Sequence, residues 1–207
     1  MRYVEDHRRQ THSRIVKNAS YGLRQNGAQG LSVVDLMKLA GLTHGGFYNH
    51  FDSRAALVGE AIAFAMDQMT ERWKKLANGK ANGDRLEGVI ADYLSPRHRD
   101  NPKHGCALPT LAPDVARSSP SERRAFAFKL EKMIDVFVQL LSDEAPEEAR
   151  QIATGAIATM VGSIVLSRAV GVGKLSDGIL DAGRMTAGGR IRKPRRRTTR
   201  AMSCDKS

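Results

Sequence analysis

The sequence is poor in cysteine and in aromatic side chains, with two cysteines, one tryptophan, four tyrosines and six phenylalanines among 207 residues. A disulfide-built scaffold is therefore excluded, since Cys204 lies in a polar, basic stretch unsuited to holding bridge geometry, and a reducing, cytoplasmic setting is expected. A signal-peptide core is also missing from the start. The most apolar run, Ala153 to Leu166, is interrupted by Thr154, Thr159 and Ser163. It falls short of the roughly 20 residues that span a bilayer, so no membrane partner is expected. What remains is 41% apolar, enough for a sizeable core in one or two domains.

The net charge of +11 is unevenly spread: +4 over residues 1–54, zero over 55–189 and +7 over 190–207. A neutral middle behind a basic N-terminal module suits a chain that grips phosphates with one part and does something else with another. The last stretch, RIRKPRRRTTR and beyond, has too few apolar residues to offset the cost of ordering and is predicted to be a solvated basic tail.

Residues 32–54, SVVDLMKLAGLTHGGFYNHFDSR, carry the densest local signals. Ser32 and Asp35 have capping-box spacing, and Val33, Leu36, Leu39 and Ala40 recur at helical intervals. Gly41 can take the left-handed conformation that ends this helix. A second short helix is predicted from Thr43 to Phe51, with Phe47 and Phe51 facing the core and Tyr48, Asn49 and His50 facing a partner. Adjacent glycines at its start, Gly45 and Gly46, each cost about 1 kcal/mol relative to alanine. Bare backbone there would let bases and phosphates approach closely. A preceding helix is predicted over 6–26, with Ile15, Val16, Ala19 and Leu23 on one stripe, and Arg8, Arg9 and His12 either near phosphates or in water.

This pattern resembles the N-terminal domain of the TetR family of bacterial transcriptional regulators. The resemblance rests on Gly27, Leu31-Ser32-Val33, Leu39-Ala40-Gly41-Leu42, Gly46 through Phe51, and Ser53-Arg54-Ala55-Ala56-Leu57, about the first quarter of the chain. It implies an all-α fold in which a three-helix helix-turn-helix domain (1–54) is joined by a long helix to a larger effector-binding and dimerisation domain (55–189). It also implies a homodimer on double-stranded operator DNA, most simply a repressor that a small molecule or a redox event releases, with no enzymatic activity and no cofactor. Thr43, His44 and Gly45 would then lead into the bases. Tyr48, His50, Arg54 and the hydroxyl of Ser32 would take phosphates, and Asn49 would read a base or bond locally.

Beyond residue 53, a linking helix to about Leu76 carries an apolar stripe that includes Trp73, a residue for an effector pocket or for the core. Residues 95–120 hold five of the seven prolines and are expected to interrupt regular helices. Cys106 sits there among Arg97, His98, Arg99, Lys103 and His104, a setting that would stabilise a thiolate for redox sensing; the bland alternative is a small buried residue. A cysteine-dependent hydrolase or a metal site built from Cys106, His98 and His104 is the other functional class. It lacks both a nucleophile motif and a structural-zinc spacing. Ser119-Pro120-Ser121-Glu122 predicts a capped helix to Ser142. Pro146 opens a helix whose Gly155, Ala158, Gly162 and Ser163 suit close helix packing and a dimer interface, and a last helix covers 175–185.

Overall fold

A computed structural model describes residues 2–78, 85–141 and 144–189, and every regular element among them is helical. The predicted loop 78–83 and the basic tail from 190, with Cys204, lie outside the described residues except for Asn78.

Helix α1 (Arg2–Asn26) starts four residues earlier than its apolar stripe required and buries Ile15, Val16, Ala19 and Leu23 as expected. Helix α2 (Val33–Leu39) begins at Ser32 with the full capping box: the Asp35 N–H donates to Ser32 Oγ at 3.2 Å and the Ser32 N–H to Asp35 Oδ2 at 2.9 Å. It ends in a Schellman turn, where the Leu42 N–H reaches the Met37 carbonyl, the Gly41 N–H reaches that of Lys38, and Gly41 has φ +71°. The following element is a six-residue 3-10 helix, His44–Asn49, in place of the predicted helix over 43–51. Two glycines in its first turn weaken α propensity, and its bonds close at the shorter spacing, as between the His50 N–H and the Phe47 carbonyl at 2.9 Å.

Helix α3 (Arg54–Asn78) runs without a break from this head into the body and buries Leu57, Ala61, Ala65, Met69 and Trp73 along one face. The body continues with α4 (Arg85–Tyr93), α5 (Pro96–Asp100), a 3-10 turn at Pro102–His104, α6 (Leu108–Ala116), α7 (Pro120–Gln139), α8 (Pro146–Ala169) and α9 (Lys174–Gly189). The proline-rich stretch is thus largely helical, against expectation. Pro96 and Pro102 open their helices and Pro109 falls in the first turn of α6, where a missing N–H leaves no intrahelical bond unmade. Helix α7 has the expected Ser119–Glu122 capping box but stops at Gln139; Ser142 lies outside the described residues.

At 24 residues, with a mean hydropathy of 1.5 over its most apolar window, α8 is by length and composition alone apolar enough to cross a membrane, a property that the core helix of a packed bundle shares. In the fold, α8 packs chiefly on α9 and α7. Helix α9 extends past the predicted end because Gly183 and Ala187 continue its buried face. Gly183 meets α8 so closely that an added Cβ would lie 2.3 Å from Ser163 Oγ. The buried apolar residues form one cluster from Ile15 to Ala187, so the core crosses the 54/55 boundary without interruption.

Candidate nucleic-acid interface

The outward face of the head is built on Phe47 and Phe51, 1% and 3% exposed, which stack at 5.7 Å beneath the 3-10 helix. With these two residues fixed inward, Thr43, His44, Gly45, Tyr48 and Asn49 are all exposed on the other side. Tyr48 is 71% exposed, and its ring stands perpendicular to those of His44 (6.2 Å) and Phe47 (5.2 Å). The phenol is therefore braced on its flanks while its hydroxyl end stays open. Helix α1 closes the far end: Arg8 Nη2 donates to the Asn49 carbonyl at 2.7 Å, and His12 stacks on Phe51 at 4.5 Å while bonding Glu60 at 2.7 Å. Arg9 pairs with Asp6. Of the three α1 residues considered for phosphates, each thus has a partner within the chain.

Three of the expected contact residues are placed differently. The Ser32 hydroxyl donates to Asp35 at 2.5 Å while accepting from its N–H, so both polar groups of Ser32 are committed to the capping box. Those same bonds hold the Asp35 carboxyl below its ordinary range, and an anion beside Ser32 opposes a phosphate. Arg54 turns away from the outer face and donates through Nε and Nη2 to the Leu31 carbonyl, at 3.2 and 2.9 Å, and through Nη2 to that of Ala28. It fastens the 27–31 loop, so its guanidinium is a poor phosphate clamp. His50 is half-buried with Nδ1 unpartnered, and burial, followed by nearby His12 and Arg8, lowers its pKa, which favours the neutral ring over a phosphate-binding cation. A six-residue 3-10 helix also has little macrodipole, so its N-terminus adds less anion attraction than an α-helix would.

In the body, the basic run around Cys106 misleads. Cys106 is fully buried, and desolvation pushes its thiol up, against the weaker opposing effects of Tyr93, Leu108, Arg24 and Arg168. The thiolate is therefore disfavoured. His98 has neither ring nitrogen free to serve as its base: Nε2 lies 2.9 Å from the Cys106 backbone N–H and Nδ1 lies 2.6 Å from the Tyr93 carbonyl. His104 is exposed, edge-on to Tyr21 at 5.0 Å. No group of three metal-ligating side chains occurs among the described residues. Trp73 is fully buried, packed on Phe137 at 4.8 Å and Tyr93 at 5.8 Å, which makes it a core residue.

Sequence reasoning missed the residues that tie head to body. Arg24, 2% exposed, donates to the carbonyls of Ser20 (3.1 Å) and Gly105 (2.8 Å) and to Gln68 Oε1 (3.1 Å), and burial lowers its pKa. Thr110 Oγ1 donates to the Arg24 carbonyl at 3.0 Å, and Asp114 Oδ2 accepts from the Ala28 N–H at 2.8 Å. Helical spacing gave no signal for Arg24, which lies well off the stripe of Ile15, Val16, Ala19 and Leu23.

A helix-turn-helix head carried on one end of a continuous helix, with an all-helical body on the other, defines a helix-turn-helix DNA-binding regulator. Residues 15–61 match the family model described as bacterial regulatory proteins, tetR family. That match assigns the N-terminal segment, residues 15–61, to the TetR family of bacterial regulatory proteins. The chain is 23% identical over 163 residues to an uncharacterized HTH-type transcriptional regulator of Mycobacterium tuberculosis, covering 75% of this chain and 82% of that protein. Among solved structures, a TetR transcriptional regulator from Chloroflexus aurantiacus has a TM-score of 0.74 at 23% identity, covering 92% of this chain and 96% of its own. The reduced form of Escherichia coli NemR has a TM-score of 0.73 at 18% identity, covering 87% and 96%. These two likenesses show the fold.

Proposed function

We propose that this chain is a transcriptional repressor that binds double-stranded operator DNA as a cytoplasmic homodimer and is released by a small-molecule effector. Residues 1–54 form the reading head, and 55–189 form the effector-binding and dimerisation body. The observation that carries this reading is the outward face of the 3-10 helix, where Thr43, His44, Gly45, Tyr48 and Asn49 stand exposed on a buried Phe47–Phe51 base. His44 and Thr43 meet base edges, and Tyr48 donates to a phosphate.

Dimerisation is supported by the exposed apolar side chains at and around the α8–α9 junction, including Leu166 (57%), Val172 (80%) and Leu175 (66%), since a contiguous apolar patch marks an interaction surface. The body holds the effector, and its differential affinity for two settings of α3 changes the grip of the heads. Release by a small molecule is favoured over Cys106 oxidation because burial both shields that thiol and disfavours its thiolate.

Selection of genomic fragments by the purified full chain tests the reading. One or more sequences should be enriched. Tyr48→Ala should weaken binding to them roughly tenfold, the value of about one charge-assisted hydrogen bond, uniformly across sequences and without changing the salt slope, because tyrosine is uncharged. His44→Ala should alter sequence preference. Absence of any enriched fragment, or isotherms identical to wild type for both variants, overturns the assignment.

A further inference from the structure

A cavity of about 300 Å³ lies where head and body meet, walled by Val58, Ile62 and Met66 of α3, Val115 of α6 and Phe126 of α7, with Ala28 on the head side. That volume is at the low end for sites that enclose a small molecule. Each charged group on its wall already has a partner. Arg54 serves the carbonyls of Ala28 and Leu31, and Asp114 takes the Ala28 N–H and Arg117. Glu122 closes the Ser119 cap, and Lys129 donates to Asp67. A charged ligand would have to displace one of these existing bonds to reach a counter-charge, whereas an uncharged apolar one gains from the walls without doing so. Two other hollows differ in kind. The groove of about 720 Å³ beside Tyr21 and Arg24 is an open surface lined by Asp67, Glu71, Arg72 and Lys75, and the space of about 120 Å³ against His98 is too small.

The position of the cavity matters as much as its chemistry. Ala28 is held from both sides, its N–H by Asp114 of α6 and its carbonyl by Arg54 of α3, four residues before the Ser32 cap that starts α2. Ala28, Arg54 and Asp114 all line the cavity. We propose that this junction cavity is a binding site for an uncharged, largely apolar small molecule, and that its occupant is the effector that releases DNA. The second half of this statement rests on the function proposed above, and the first half does not.

The fold offers a clean way to fill the space. Gly59 lies on the cavity wall within α3, and a Cβ there meets nothing within 4 Å. The probe is N-phenyl-1-naphthylamine, an uncharged aromatic whose emission rises on leaving water, compared with the anionic 8-anilinonaphthalene-1-sulfonate. The full-length protein should bind the uncharged probe saturably, one per chain, and the sulfonate at least about tenfold more weakly. Gly59→Phe and Ala63→Phe should each weaken the uncharged probe by about tenfold or more, with wild-type circular dichroism.

Hydrogen exchange of the wild-type protein provides a readout independent of variants, with slowing expected in segment 54–66 when the probe is present. Absence of saturable binding, full retention of binding in both filled variants, or absence of protection in that segment overturns the site. Equal affinity for the sulfonate overturns the ligand class. The effector role is read separately, by release of a selected fragment from wild type but not from Gly59→Phe. Probe binding in the cavity with DNA retained overturns that role, whereas failure to select any fragment overturns the regulator reading and leaves the cavity result standing.

Discussion

His98 should make this protein lose stability in mildly acidic solution. A carbonyl only accepts and an amide N–H only donates, so the contacts of His98 fix its state: Nδ1 carries the proton and donates to the Tyr93 carbonyl, and Nε2 accepts from the Cys106 N–H. Protonation of Nε2 would set N–H against N–H. Burial is the main cause of a pKa pulled from 6.5 to about 4; Arg168 and Arg72 push the same way, while the Tyr93 carbonyl and Asp92 oppose it.

Between pH 6.5 and about 4 the unfolded chain binds a proton that the folded chain refuses, so stability is complete above 6.5 and is lost as pH falls through that window. A shift of this size corresponds to about 3 kcal/mol, a large share of the stability of an ordinary domain. Urea unfolding of wild type and His98→Leu, at one fixed protein concentration, measures it. The variant leaves the Tyr93 carbonyl and the Cys106 N–H unpaired and should be weaker at neutral pH by about 2–4 kcal/mol, and that gap should close by about 3 kcal/mol toward pH 4. His50 and His104, also lowered by burial, act with the same sign but cancel in the difference. A gap independent of pH, or an imidazole NMR titration of His98 centred near 6.5, would refute the reasoning.

Three further substitutions probe separate parts of the fold. Arg54→Met should cost about 1–3 kcal/mol in denaturant unfolding by leaving the Ala28 and Leu31 carbonyls unsatisfied, and should leave the salt slope of DNA binding at its wild-type value; a slope reduced by about 0.9 would restore Arg54 as a phosphate contact. Gly183→Ala puts a Cβ 2.9 Å from Ser163 Cβ and 3.1 Å from Leu94 Cδ1, an overpacking worth about 1–3 kcal/mol. Adding Ser163→Gly should recover part of that loss in a thermal melt, and no recovery would argue that the α8–α9 contact is looser than described. Leu166→Glu buries a carboxylate twice in a symmetric interface through α8 and should give monomers by light scattering at concentrations where wild type is dimeric; an unchanged mass would move the interface elsewhere.

How much of this could be read from the sequence depended on whether the deciding partner was close in the chain. Ser32 with Asp35, Gly41, and Ser119 with Glu122 report on bonds spanning three or four residues, and each sits where its spacing predicts. Phe47 and Phe51, four residues apart, were legible for the same reason. Arg54 was not, because the same basic residue at a helix start serves a phosphate or a carbonyl equally well. What decides is where Ala28 and Leu31 lie, 26 and 23 residues away. Cys106 failed in a second way: five basic neighbours in sequence give no field at the thiol if the chain turns the thiol inward, and only packing shows that it does. The prolines at 96, 102 and 109 show a third case, since a residue that stops a helix from its middle is favoured at its start.

The same distinction bears on how the body can act on the head. Helix α3 is 25 residues, about 37 Å long at 1.5 Å per residue, and buries Leu57 near one end and Trp73 toward the other. A continuous helix alone would transmit a tilt, yet it would leave the rest of the head free to follow. Three hydrogen bonds remove that freedom: Arg24 to Gly105, Thr110 to Arg24, and Ala28 to Asp114, all joining α1 and the loop after it to the segment 105–114. At about 1 kcal/mol each they sum to about 3 kcal/mol, the upper end of ordinary coupling energies between sites. The head is thus held by two supports, α3 and this stitched edge. A change that shifts one support against the other must either break those bonds or move the 27–31 loop with them. Because Ala28 sits on that loop and on the wall of the junction cavity, the second course displaces the cap of α2 without any need to bend α3.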